Sequence, residues 1–137
     1  VLLLHEQSLL QSGTPLGLYQ SPKCLAAARL MSDPGVNLLP GPNFNGGEQC
    51  SVIRPEHVLL PGEAVQDCAD TISFHMRVDS IERSGDETFL HGRVSKDGEL
   101  QDERHWVVRR PGMHSVSVGQ MLELNVLGDD ILNLALE

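Results

Sequence analysis

The stretch Ile72-Ser73-Phe74-His75-Met76-Arg77-Val78 has an apolar residue at every second position and a polar residue at each position between. Successive side chains of a β-strand point to opposite faces of the sheet. The alternation therefore predicts a strand that turns one face to a core and the other to solvent. This strand is the clearest indication of fold class in the chain, and the flanking sequence extends it.

Short runs of strand-like composition surround this stretch and complete the pattern. They are Phe89–Val94, Trp106–Val108, Leu122–Val126 and Ile131–Leu134. Pairs of turn-forming residues separate the runs. These pairs are Gly46-Gly47, Pro61-Gly62, Gly85-Asp86, Asp97-Gly98, Pro111-Gly112 and Gly128-Asp129. Many short strands with regular turns predict a small antiparallel β-barrel or sandwich from residue 37 onward.

The N-terminal part of the chain, up to about residue 35, has a different pattern. Val1–Leu4 and Leu9–Gln11 are apolar runs that predict two short strands, with Gln7-Ser8 as the polar turn between them. Ser12-Gly13 is expected to end the second strand. A small apolar hairpin is therefore predicted to open the chain.

Helix signals follow this hairpin. Thr14 precedes Pro15, which places an N-cap residue before a proline at the first helical position. Ser21-Pro22 repeats the signal, and apolar residues then recur at helical spacing at Leu25, Ala28 and Met31. Asp33-Pro34-Gly35 should end the second helix, because proline cannot continue the hydrogen-bond ladder. The segment is predicted to be a short strand–helix appendage.

The composition sets limits on size, core and partners. A chain of 137 residues suits one domain, or one small domain with an appendage. Aromatic residues make up only 4% of the chain, so an aliphatic core of Leu and Val is expected. The formal net charge is −9 and the only lysines are Lys23 and Lys96. This balance argues against binding to nucleic acid or to an anionic membrane surface.

Cysteine usage and the chain start indicate the cellular setting. Cys24, Cys50 and Cys68 are odd in number and form no Cys-x-x-Cys pair, as expected of reduced thiols in a cytoplasmic protein. No apolar run approaches the roughly 20 residues of a membrane span. The chain begins inside an apolar run without an initiator Met, and it reads as a piece of a longer protein.

The residue patterns of common active sites are missing from the sequence. Neither lysine follows a glycine, so there is no phosphate-binding Gly-x-x-x-x-Gly-Lys loop. The six histidines have no metal-ligand spacing, and no Gly-x-Ser-x-Gly nucleophile elbow occurs. The acidic stretch Glu63–Asp70 lacks the spacing of a calcium loop and is expected to be a solvated loop. No catalytic, cofactor-binding or metal-binding residue is predicted.

Three motifs occur in a recognisable order. They are Gln11-Ser12-Gly13-Thr14-Pro15 with Leu18-Tyr19 and Ser21-Pro22, then Ala28-Arg29-Leu30 through Asn37-Leu38-Leu39-Pro40, then Ile53-Arg54-Pro55-Glu56-His57. The first two resemble the end of the nucleotide-binding domain of ABC importer ATPases. The third resembles the Gly-Ile-Arg-Pro-Glu-His motif of the TOBE domain that follows it. Val52, Met31-Ser32 and Gly35-Val36 depart from the usual family residues. Ser115–Gln120 has a passing likeness to an ABC signature loop, but it precedes a strand and is read as a turn.

The resemblance implies a fold, a division of the chain and a function. Residues 1–35 would be the tail of a nucleotide-binding domain, and residues 36–137 an OB-like antiparallel β-barrel of the TOBE type. The chain would be the dimerisation or regulatory part of an ATP-binding subunit that drives uptake of a sugar or polyol. ATP and Mg²⁺ would bind in the preceding domain, and none is expected in this piece. The expected partners are a second copy, the membrane permease subunits and a regulatory protein, at the cytoplasmic face of the membrane.

The residues Arg54, Pro55, Glu56 and His57 are the candidate functional residues. Proline fixes its φ angle and lacks an N–H donor, so Pro55 should end or edge a strand. Arg54 and Glu56 then flank a rigid corner, from which each can hydrogen-bond to another strand or to a partner. Two interpretations stay open here: an internal bridge that fixes the barrel, and a dimer or regulatory interface.

An alternative function is a free-standing OB-type barrel that binds a small ligand. Oligonucleotides need basic grooves and stacking aromatic residues, which the composition does not offer. A small oxyanion or a sugar is a possible ligand by comparison with related transport-associated barrels. An independent enzyme is not supported by any group of nucleophile, base and metal ligands.

Overall fold

The computed structural model describes residues 1–5, 8–32, 35–40, 45–46, 49–63, 70–96 and 104–135. The predicted turn Asp97-Gly98, the helix stop at Asp33-Pro34, the acidic residues 64–69 and Cys68 lie outside these residues. The strands are β1 Leu2–His5, β2 Ser8–Ser12, β3 Asn37–Leu38, β4 Asn45–Gly46, β5 Gln49–Ile53, β6 Thr71–Ser84, β7 Glu87–Ser95, β8 Arg104–Pro111, β9 Met121–Leu127 and β10 Leu132–Ala135. The helices are α1 Pro15–Gln20 and α2 Leu25–Leu30, and 3₁₀ turns cover Pro55–His57 and Gly128–Asp130.

The predicted strand around residues 72–78 is confirmed as the middle of the largest sheet. This antiparallel sheet has the order β8-β7-β6-β9. Phe74, Met76 and Val78 are buried, whereas Arg77 between them is exposed. Strand β6 is longer than predicted because its outer half, beyond an irregularity at Val78–Ser80, continues to pair with β7.

A second antiparallel sheet has the order β10-β5-β3, with β4 also paired to β5. Contacts on both sides tie it and the segment after it to the large sheet. Leu59 and Asn125 exchange backbone hydrogen bonds of 2.9 and 3.1 Å on the β9 side. On the β8 side, the side-chain amide of Asn37 donates to the Val107 carbonyl at 2.8 Å and accepts from the Val107 N–H at 2.9 Å. The predicted mainly β, OB-like fold is confirmed.

The core of the barrel is mainly aliphatic, as the composition predicts. Among the described residues its two aromatic members, Phe74 and Trp106, pack with ring centroids 5.1 Å apart. The Trp106 indole N–H donates to the Leu38 carbonyl at 2.7 Å, so the buried polar atom is satisfied. Gly92 pairs with Trp106 on β8, and a Cβ at Gly92 would lie 2.2 Å from the Arg77 carbonyl oxygen. Only glycine allows this close approach of β6 and β7.

The N-terminal hairpin and first helix agree with the sequence prediction to within a residue or two. Strand β1 covers Leu2–His5 rather than Val1–Leu4, and Ser8, predicted in the turn, begins β2. Helix α1 starts at Pro15, and the Thr14 hydroxyl accepts the Gly17 N–H at 3.1 Å. This is the predicted N-cap.

The second helix starts later than predicted, because Ser21 does not cap it. The Ser21 N–H still donates to the Gly17 carbonyl and closes α1. The Gln11 side chain then holds the link extended by bonding the Ser21 carbonyl and the Lys23 N–H. Helix α2 therefore begins at Leu25 with Cys24 as N-cap.

Helix α2 packs directly on the barrel. Its buried residues Leu25 and Ala28 share one apolar cluster with Cys50, Val52 and Leu134 of β5 and β10. The proposed boundary after residue 35 stays a prediction, and the segments on either side of it are in contact. Each of the described helices is too short to cross a membrane.

Candidate functional site

The motif Arg54-Pro55-Glu56-His57 lies where the chain leaves the second sheet. Strand β5 ends at Ile53, and Arg54 has the extended backbone that a residue before proline prefers (φ −74°, ψ 146°). Pro55 is buried at the first position of the 3₁₀ turn, where its missing N–H leaves no donor unsatisfied. The predicted rigid corner is therefore present, and it directs Arg54 and Glu56 toward the N-terminal segment.

Arg54 is the centre of this site, with only 3% of its surface exposed. Its Nη2 donates to the Tyr19 carbonyl at the end of α1, and its Nε donates to the Ser32 hydroxyl at 3.1 Å. The guanidinium carbon also lies 3.8 Å from the centroid of the Tyr19 ring, a cation–π contact. Burial lowers the pKa of Arg54, and the neighbouring Tyr19 and Glu56 oppose that shift.

Glu56 completes the contact with Tyr19. The Tyr19 hydroxyl donates to Glu56 Oε1 at 2.5 Å. Burial, followed by this hydrogen bond and the charge of Glu56, raises the pKa of Tyr19 to about 12. Tyr19 thus stays a neutral donor throughout the physiological pH range. We call Tyr19, Ser32, Arg54 and Glu56 the joint, because they connect the N-terminal segment to the barrel.

His57 lies at the edge of the joint. Its ring meets the Tyr19 ring edge-on, with centroids 6.4 Å apart. Its Nδ1 is 4.0 Å from Asp130 Oδ1 and makes no hydrogen bond with the described residues. About a third of each of these two side chains is exposed to solvent.

Sequence reasoning missed the residues that support the motif from β8. Arg110 donates from Nη1 to the Glu56 carbonyl at 2.8 Å. Its Nε donates to Glu63 Oε1 at 2.9 Å, and its Nη2 pairs with the other oxygen of that carboxylate. Glu63 therefore supports the turn through Arg110. The prediction that Glu63 lies in a solvated acidic loop was wrong. The pairing spans 47 positions, and no local pattern could reveal it.

The joint has the chemistry of a structural contact. Tyr19, Ser32, Arg54 and Glu56 are hydrogen-bonded to one another, and Glu56 Oε2 is buried without a hydrogen-bond partner among the described residues. Within the described parts of the chain, no three His, Cys, Asp or Glu side chains are grouped so that they could hold a metal ion. What the arrangement can do is fix the orientation of α1 on the barrel, because Arg54 and Glu56 contact opposite ends of Tyr19.

Known proteins resemble this chain over the barrel and over most of its length. The family model described as "TOBE domain" matches residues 51–134, from β5 to β10. The sn-glycerol-3-phosphate import ATP-binding protein of Brucella abortus (strain 2308) is 24% identical over 96% of this chain, and the match covers 38% of its own length. A protein of the same name from Agrobacterium fabrum is 26% identical over 95% of this chain and is covered over 39% of its length. A third, from Rhodopseudomonas palustris (strain BisB18), is 32% identical over 65% of this chain.

Proposed function

Since the chain belongs to the TOBE-domain family, matched over more than half of its length, we propose that it is the C-terminal accessory part of the ATP-binding subunit of an ABC importer. The observation that carries this proposal is the alignment of nearly the whole chain, barrel and N-terminal segment together, with import ATP-binding proteins. The chain spans a little under two-fifths of the length of those relatives. Nucleotide binding and hydrolysis, with ATP and Mg²⁺, then belong to the rest of such a subunit.

The exposure of the N-terminal hairpin supports this parentage. In β1, Leu3 is buried against Leu18 and Ala27, whereas Leu2 and Leu4 on the other face are 66% and 61% exposed. A strand that is apolar on both faces is typical of the interior of a larger, covered sheet. Residues 1–35 therefore suit the end of a nucleotide-binding domain. The rest of that domain would cover the exposed face of this hairpin.

The joint suggests how the two parts work together. Each closure of a nucleotide-binding domain would reach the barrel through α1, Tyr19 and the buried guanidinium of Arg54. A rigid contact at this place lets the barrel follow the domain as one body and hold a second copy of the subunit. The membrane permease subunits would be further partners, at the cytoplasmic face of the membrane, and the imported solute would be glycerol 3-phosphate or a related sugar or polyol.

Sedimentation and ATPase assays test this division of labour. The purified chain should self-associate in the micromolar range and hydrolyse no ATP. In the longer protein that includes the ATPase domain, Arg54→Lys should weaken dimerisation or alter ATPase coupling. Arg77→Lys, an exposed control on β6, should have a smaller effect on both. A chain that is monomeric throughout, with no effect of Arg54 on the longer protein, would contradict the assembly role.

The alternative, a module that binds a small oxyanion, has less structural support. A cavity of about 350 Å³ lies beside Leu60 and Met121, and the part of its lining that the structure describes contains no Lys or Arg. An oxyanion site needs such cations or a concentration of N–H donors. A thermal shift with molybdate, sulfate or a sugar phosphate would favour this alternative, and its absence would favour the accessory role.

A further inference from the structure

We draw no further inference here: the strongest candidate, the cross-strand row of Arg77, Arg93 and His105 on the solvent-facing side of the large sheet, is balanced in charge by Asp79 and Glu123 on the same side, and nothing in the structure shows what covers it.

Discussion

The guanidinium of Arg54 lies 3.8 Å from the centre of the Tyr19 ring and also donates to the Tyr19 carbonyl. One side chain of the barrel thus contacts both the ring and the backbone of the last turn of α1. Because Arg54 is almost completely buried, its guanidinium donors have to find their acceptors within the chain. The TOBE motif in this protein is, first of all, a connection between two segments.

Replacing Arg54 by Lys tests whether this connection depends on the guanidinium fork. Lysine keeps the charge but cannot direct donors to both Tyr19 and Ser32, so the chain should lose about 1–3 kcal/mol of unfolding free energy. Urea denaturation measures the loss. Arg77→Lys, at an exposed position on β6, should change the value by less than about 0.5 kcal/mol. Equal effects of the two substitutions would show that the guanidinium fork of Arg54 is not needed for stability.

Replacing Tyr19 by Phe tests the Tyr19–Glu56 bond through its pH dependence. The pKa of Tyr19 is raised to about 12 in the folded chain, above its ordinary value of 10.0. The folded state therefore holds the phenol proton more tightly, so this stabilisation is complete below pH 10 and is lost as the pH rises to 12. Denaturation at pH 8 to 12 should show wild-type stability falling more steeply than that of Tyr19→Phe. At neutral pH the variant should be less stable by about 0.5–1.5 kcal/mol. Parallel pH profiles would exclude the bond.

The side-chain amide of Asn37 takes the place of a neighbouring strand at the edge of β8. Removing it tests how the barrel is closed on that side. Asn37→Ala leaves the Val107 N–H and carbonyl without their partners, which should cost about 2–4 kcal/mol. Hydrogen exchange should become faster at the Val107 amide in particular. Asn125→Ala removes only a side-chain bond to the exposed Ser73 hydroxyl and should cost less than about 1 kcal/mol. A protected Val107 amide in Asn37→Ala would contradict this role.

Gly92→Ala tests the close approach of β6 and β7. The added Cβ would meet the Arg77 carbonyl oxygen at 2.2 Å, a backbone atom that cannot move without disrupting the ladder. We expect a loss of about 3 kcal/mol or more, or failure to fold. At Gly128, the nearest atom to an added Cβ is 3.5 Å away, so Gly128→Ala should cost less than about 1 kcal/mol. Thermal unfolding of the two variants compares them directly.

How much of the structure could be predicted depends on whether the determining contacts are local. The alternation at Phe74, Met76 and Val78 and the Thr14-Pro15 helix start are local, and both predictions are confirmed. The predicted start of α2 was wrong because the Gln11 side chain, 10 to 12 positions away in sequence, holds the Ser21–Lys23 link. The motif Arg54–His57 was identified from its resemblance to a family, but its contacts with Tyr19, Ser32 and Arg110 span 22 to 54 positions and required the fold.

The coding sequence immediately upstream of Val1 is the most direct test of the central claim, that this chain is the accessory end of an importer ATP-binding subunit. The account predicts that this sequence encodes a Gly-x-x-x-x-Gly-Lys-Ser/Thr phosphate loop, an ABC signature loop and a switch histidine, in the same reading frame. A start codon directly before Val1, or an upstream frame without these motifs, would contradict it.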